Sequence, residues 1–400
     1  MHVTPASLPP RVLHVTQPVD GGVARVVADL VRLQRAAGMR VAVACPPAGA
    51  LPALLDAAGC EVLDWAAQRS PARGVRDEVR RLGELVTRTA PDLIHAHSAK
   101  AGLVTRLAVR GRVPTVFQPH AWSFEAVGGP AARLALNWER FGARWTTRLI
   151  CVSRAERDHG RRRGVRGPVS LVPNGVDLGL FHPGTGTEPP PEGLPEGDGP
   201  LVVCVGRLCR QKGQDVLVKA WHEVGRQVPG ARLVLVGDGP DAARLRAAAS
   251  PGVTFAGAVA DPAAWYRAAD LVVLPSRWEG MALAPLEAMA CGSPVLLTDV
   301  DGARESLPPG RAAGCLVPPG RPEALARALA RLLADPGKLA ALGASAHRHV
   351  REHHDVRHTA EAVADVYRDL LEPVRSSPSA PRRPARPLDA REAGTGGSAT

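Results

Sequence analysis

The sequence predicts an α/β protein made of two successive Rossmann-like units, and three observations carry that prediction. Short apolar runs of strand length alternate with stretches of helical period along most of the chain. The alternation starts twice, each time with an apolar run leading into a glycine-bearing turn: residues 12–16 before Asp20-Gly21-Gly22, and residues 201–205 before Gly206. The 400 residues exceed one ordinary core and fit two domains of roughly 150–200 residues each.

In the first unit, residues 12–16 read as a strand, and Val23, Val26, Val27, Leu30, Val31 and Leu33 follow at helical spacing. Residues 41–45 form a second strand, stopped by Pro46-Pro47. Residues 92–97 read as a third, ending in a polar rim at His95 and His97, with a helix over 99–109. Residues 113–118 and 148–152 supply two more strands. Strands alternating with helices imply a parallel sheet covered on both faces.

The second unit repeats the pattern. Strands fall at 201–205, 232–236, 253–255, 271–274 and 294–297, with helices at 214–226 and 241–249. Between the units, residues 184–200 are rich in Pro, Gly and Glu and read as a linker. A last helix over 355–371 places Val356, Ala360, Val363, Val366, Tyr367 and Leu370 on one face, so it packs rather than dangles. From Pro373 the composition turns to Pro, Arg, Ser and Gly, as in disordered tails. The expected division is therefore 1–180 for the first domain, 181–200 for the linker, 201–355 for the second domain, 356–372 for the last helix and 373–400 for the tail.

Composition narrows the class. Apolar residues make up 45% and charged residues 22%, as in a soluble globular chain. The seven cysteines are scattered, with no Cys-x-x-Cys pair, which fits reduced thiols in a reducing compartment. No basic segment followed by an apolar core opens the chain, and no apolar run approaches the roughly 18 residues of a membrane span. A cytoplasmic protein is the expectation.

Charge is unevenly placed. Residues 1–175 hold 25 Lys/Arg against 13 Asp/Glu, whereas residues 176–374 hold 20 against 24. A basic first half suggests an anionic partner there: a lipid surface or a lipid-phosphate acceptor at the inner face of a membrane. A solvated Arg-rich surface has the same composition. No nucleic-acid motif is present, so nucleic acid is not an expected partner.

The segment most informative about chemistry is Pro275-Ser276-Arg277-Trp278-Glu279-Gly280-Met281-Ala282-Leu283-Ala284-Pro285-Leu286-Glu287-Ala288-Met289-Ala290-Cys291-Gly292. A strand ends in a turn, and a helix over about 284–290 follows. A helix N-terminus offers free backbone N–H groups and the positive end of a dipole to a phosphate or sugar oxygen. Glu279 precedes that helix and Glu287 lies within it, so the two can grip separate parts of a polyhydroxyl ligand. A dipole partner and a surface charge would use the same residues.

This segment resembles the Glu-x7-Glu signature of the retaining glycosyltransferases of family 4, which adopt the GT-B fold. The likeness runs along most of the chain through Asp20-Gly21-Gly22, Pro91-Asp92-Leu93-Ile94-His95-Ala96-His97, Cys151-Val152-Ser153 and Val172-Pro173-Asn174-Gly175-Val176-Asp177. It continues through Val205-Gly206-Arg207-Leu208, Gln211-Lys212-Gly213 and Val236-Gly237-Asp238-Gly239-Pro240. The resemblance implies two Rossmann-like domains facing across a cleft, with the C-terminal helix crossing back to the first.

It also implies roles. Arg207 and Lys212 would neutralise the pyrophosphate of a nucleotide-sugar donor, replacing an obligate metal or other cofactor. Glu287 would bind the ribose and Glu279 the transferred sugar. Backbone at Gly280, Met281, Ala282 and Leu283 would touch sugar and phosphates, and Gly22 would let main chain approach them from the first domain. His120 matches the histidine facing the anomeric centre. The implied acceptor is a hydroxyl on a glycan, a lipid-linked sugar or a small molecule, with exopolysaccharide or glycolipid assembly as the setting. Met281-Ala282 stands where the family often has Phe-Gly, and Ala121 where Gly is common. An epimerase or phosphorylase on the same fold, or a sugar-nucleotide binding protein without activity, remain alternatives.

Three further features invite interpretation. His95 and His97 share one strand face as metal ligands do, but no third ligand is evident, so a rim role near the acceptor is expected. His347, His349, His353, His354 and His358 read as solvated helix surface. Residues 131–146 set Leu134, Trp138, Phe141 and Trp145 beside Arg133, Arg140 and Arg144, which suits either a membrane-interface helix or one packed into the first domain.

Overall fold

The computed structural model describes residues 9–68 and 74–372. The first sheet holds β1 (Arg11–Thr16), β2 (Arg40–Cys45), β3 (Glu61–Asp64), β4 (Leu93–His97), β5 (Thr115–Gln118), β6 (Arg148–Cys151) and β7 (Val169–Leu171), in the order 3-2-1-4-5-6-7. The second holds β8 (Leu201–Val205), β9 (Arg232–Val236), β10 (Val253–Gly257), β11 (Leu271–Leu274), β12 (Val295–Thr298) and β13 (Leu316–Val317), in the order 10-9-8-11-12-13. Pairing is parallel in both. Each sheet repeats the doubly wound order in which the chain runs outward from a first central strand and then returns to its other side.

The central strands are buried on both faces, which is why β1, β8 and β11 read as near-continuous apolar runs rather than alternating ones. The strands β3, β7 and β13 had no counterpart among the expected elements. They are edge or near-edge strands of two to four residues, and pairing rather than local pattern defines them.

The two units join at a double crossing. The Val176 amide donates to His354 O at 2.8 Å, and the Val356 amide donates to Val176 O at 3.0 Å. A Cβ on Gly175 would lie 2.7 Å from the Asp355 carbonyl, so glycine is what allows the two backbones to touch. Beyond this point the helix Val356–Leu371, its N-terminus capped by the Asp355 carboxylate, crosses back onto the first unit. Its Val363, Val366 and Tyr367 share an apolar cluster with Val26 and Leu30 of the helix Gly22–Ala36. The tail expected from Pro373 lies outside the described residues. No helix among them is long and apolar enough to cross a membrane.

Candidate functional site

Strand order reverses between β1 and β4 and between β8 and β11. Ligands of such sheets bind outside the carboxyl ends of the strands at these points. In the second unit, β8 runs into Gly206 and Arg207, and the short turn Arg210–Lys212 follows. A Cβ on Gly213 would fall 2.0 Å from Pro275 O, so this glycine allows the turn to lie against the end of β11. Lys212 Nζ thereby reaches Glu279 Oε1 at 2.7 Å, and the Ser276 hydroxyl donates to the same oxygen at 2.7 Å. Glu279 is buried, so its charge is met by a cation and a hydroxyl rather than by bulk water.

Glu287 sits one turn into the helix Leu283–Ala290 and accepts a hydrogen bond from the Tyr266 hydroxyl at 2.7 Å. Burial pushes its carboxyl up to about 7, against the Tyr266 bond and the positive charge of Arg25, which lies on the first unit. Glu287 is thus no surface charge: it is buried at the seam between the two units.

Two helix N-termini face each other across this seam. Neither Gly22–Ala36 nor Leu283–Ala290 has a side-chain cap, which leaves first-turn N–H groups free. A Cβ on Gly22 would lie 3.9 Å from Leu283 Cδ1, so the two ends are in contact range. Ala282 forms the N-cap of the second helix, and the Met281 carbonyl accepts from Asn174 Nδ2 at 2.7 Å. The Ser153 hydroxyl donates to Gly280 O at 3.0 Å. A Cβ on Gly280 would meet Glu156 Oε1 at 2.8 Å and the His120 carbonyl carbon at 3.0 Å. His120 thus borders the second unit, in a left-handed backbone conformation at φ 59°.

Gly22, His120, Lys212, Glu279, Gly280, Met281, Ala282, Leu283 and Glu287 accordingly surround one interdomain seam. Arg207 is not drawn into this set of contacts. It is exposed, its guanidinium has no ion-pair partner among the described residues, and only its carbonyl is engaged, by Gln214 Nε2 at 3.0 Å.

Several side chains here had no sequence signal. His14 is buried in β1 and lies opposite His95 in the register with β4. His14, His95 and His97 have ring nitrogens within 4.8 Å of one another. The absence of a third histidine near His95 and His97 and their rim placement are both corrected, because all three are fully buried beneath the last helix. Adjacency of β1 and β4, which the doubly wound order implies, is the signal that could have found His14.

The two units are also clasped beside the seam. His159 Nδ1 lies 2.9 Å from Asp301 Oδ2 and 3.3 Å from Glu125 Oε1. Glu305 accepts the amides of Arg154 and Ala155 at 2.8 Å each, at the N-terminus of the helix Arg154–Arg162. Of the late histidines, His353 and His358 are exposed as expected, but His354 is buried at the crossing and bonds Asn174 O at 2.9 Å. The helix Gly129–Gly142 is fixed by a buried Arg106–Glu139 pair at 2.8 Å, yet Leu134 is 73% exposed and Phe141 42%.

Comparison with known proteins agrees with this architecture. A family profile described as Glycosyltransferase Family 4 matches residues 20–180, and one described as Glycosyl transferases group 1 matches residues 199–335. The lipopolysaccharide core biosynthesis mannosyltransferase LpcC of Rhizobium leguminosarum bv. viciae is 38% identical over 216 residues. That alignment covers 51% of this chain and 60%, less than two thirds, of the mannosyltransferase. A D-inositol 3-phosphate glycosyltransferase of Streptomyces bingchenggensis is 34% identical over 309 residues, 70% of this chain and 67% of that one. Among solved structures, sucrose-phosphate synthase from Thermosynechococcus elongatus superposes with a TM-score of 0.75 at 25% identity, over 90% of this chain and 99% of that one.

Proposed function

This chain belongs to the family 4 glycosyltransferases, and from that premise we propose that it moves a sugar from a nucleotide-diphosphate donor to a hydroxyl acceptor with retention of anomeric configuration. The observation that carries the reading is the seam itself. A cation–carboxylate pair at a strand end, a second buried carboxylate and two uncapped helix N-termini converge there.

Each group has a role that suits its position. Lys212, with Arg207 swinging in from its exposed site, neutralises the diphosphate as negative charge grows on the leaving oxygen. Backbone N–H groups at Gly22 and at Gly280–Leu283 hold phosphate and sugar oxygens. Glu287 accepts the ribose hydroxyls, Glu279 orients the transferred sugar, and His120 faces its anomeric centre. The acceptor hydroxyl attacks on the face the diphosphate leaves; its proton passes to a phosphate oxygen as the old C1–O bond breaks and the new one forms. Two cationic side chains and two helix dipoles supply charge compensation, so no obligate metal is part of this scheme.

The acceptor we favour is lipid-linked, as in the assembly of a cell-envelope glycan or exopolysaccharide, with peripheral contact at an anionic membrane. The basic first half and the outward Leu134 and Phe141, flanked by Arg133, Arg140 and Arg144, support that choice.

Incubation with a panel of UDP-, GDP- and ADP-sugars and with polyprenyl-phosphate-linked or soluble sugar acceptors tests the scheme. A glycoside whose anomeric proton coupling matches that of the donor is the expected product, lost in Lys212→Ala. An inverted product, or full activity in Lys212→Ala, overturns it. Retention of activity on polyprenyl-linked acceptors without sedimentation on anionic vesicles would remove the membrane contact alone.

A further inference from the structure

A line of buried hydrogen bonds runs from Gln34, on the helix Gly22–Ala36, to His120. His14 Nε2 meets Gln34 Oε1 at 2.9 Å, His14 Nδ1 meets His97 Nε2 at 2.9 Å, and His97 Nδ1 meets His120 Nε2 at 3.1 Å. Beside this line, and outside it, the Tyr367 hydroxyl lies 2.6 Å from His95 Nδ1. Gln34 is buried, and its amide oxygen, facing His14, anchors the line.

Direction follows from this starting point. A neutral imidazole carries one N–H and one lone pair, so each bond sets the next. Gln34 oxygen is an acceptor, so His14 carries its proton on Nε2 and offers Nδ1. His97 then carries its proton on Nε2 and offers Nδ1, and His120 in turn donates from Nε2. Burial keeps the chain neutral: it pulls His14 down to about 4 and His120 to about 3, and His95 and His97 well below their ordinary value.

We propose that Gln34, His14 and His97 are positioning residues that lock His120 in its Nε2–H tautomer, leaving Nδ1 as a bare acceptor for a sugar hydroxyl of the bound donor. Nothing but the proton position need differ for the site to fail, because an Nδ1–H would present a donor where an acceptor is required. The inference rests on the transferase reading for the identity of the ligand, but the tautomer itself is independent of it.

A metal ion at His14, His95 and His97 would need the lone pairs that these bonds consume. The two arrangements are therefore exclusive.

The test is ring-nitrogen NMR of the full chain labelled with 15N-histidine, with His120 assigned by its loss in His120→Gln. The expected spectrum shows a protonated Nε2 and an unprotonated Nδ1 for His120 at pH 7. Gln34→Met and His14→Phe, neither of which touches His120, should blur it into a mixture of tautomers. With a sugar nucleotide that the wild type uses, the same variants should lose about tenfold in kcat, the worth of one hydrogen bond to a ligand, with donor KM within about twofold. An Nδ1–H His120 in the wild type, an unchanged tautomer in both variants, wild-type kcat despite a mixed tautomer, or stoichiometric metal retained by the purified chain each overturns the proposal. Absence of transfer by the wild type with any sugar nucleotide would instead defeat the transferase reading, leaving the tautomer measurement to stand or fall by itself.

Discussion

Lys212 and Glu279 meet at 2.7 Å, on the carboxylate oxygen that also accepts the Ser276 hydroxyl. In this state the lysine is engaged by a side chain, and a diphosphate must compete with Glu279 for it. Glu279→Gln should therefore bind free UDP more tightly than wild type while losing turnover. Isothermal titration decides this, and weaker or equal UDP binding by the variant counts against the placement. Lys212→Ala should cost about 10²–10³-fold in kcat, as for other lost donors to developing charge.

The clasp beside the seam depends on pH. Hydrogen bonds to Asp301 and then Glu125 raise His159 to about 9, and the ring of Phe124 is its other near neighbour. Because the closed-state value lies above the ordinary 6.5, its contribution to closure is complete below about 6.5 and is lost as pH rises through about 9. Small-angle scattering should show a larger radius of gyration at pH 10 than at pH 7, and Asp301→Asn should show part of that expansion already at pH 7. A radius constant over this range would mean that Glu305 and the Gly280 contacts suffice to hold the units together.

Glu287 works in the opposite functional sense. Burial raises it to about 7, so the ionised form that suits ribose recognition is the costly one for the free protein. Its stabilising contribution is present below about 4.5 and disappears as pH rises through about 7. Glu287→Gln should therefore melt above wild type at pH 8, by an amount on the order of 1–3 kcal/mol, and match it at pH 4.5. Donor KM should rise in the same variant. A melting temperature below wild type at pH 8 would assign Glu287 a purely structural part.

The sequence was most readable where local pattern and global role coincide. The runs at 201–205 and 271–274 are buried on both faces, so their apolar continuity announces them. The residues 275–292 carry the glycine and the two carboxylates that meet the other groups at the seam, so the seam was visible from them. By contrast, Val169–Leu171 and Leu316–Val317 owe their identity to a neighbour already in place. His14 and Tyr367 looked like a stray polar residue and an ordinary helix-face aromatic, because what joins them to the buried histidines is strand order and a helix that returns from the other end of the chain. His159, Asp301 and Glu305 lie on surfaces that meet only once both units are folded, and no periodicity marks them.

The last helix is made by the ribosome after everything it covers. Until Val363, Val366 and Tyr367 emerge, Val26 and Leu30 of the helix Gly22–Ala36 lack their covering partner, and His95 lacks its phenol partner. The N-terminal half therefore cannot finish maturing when its own synthesis ends, but must wait for the whole polypeptide, holding a sticky flank that invites chaperones or aggregation in the interval. A product cut short by those sixteen residues would leave Val26, Leu30 and His95 without the side chains that cover them.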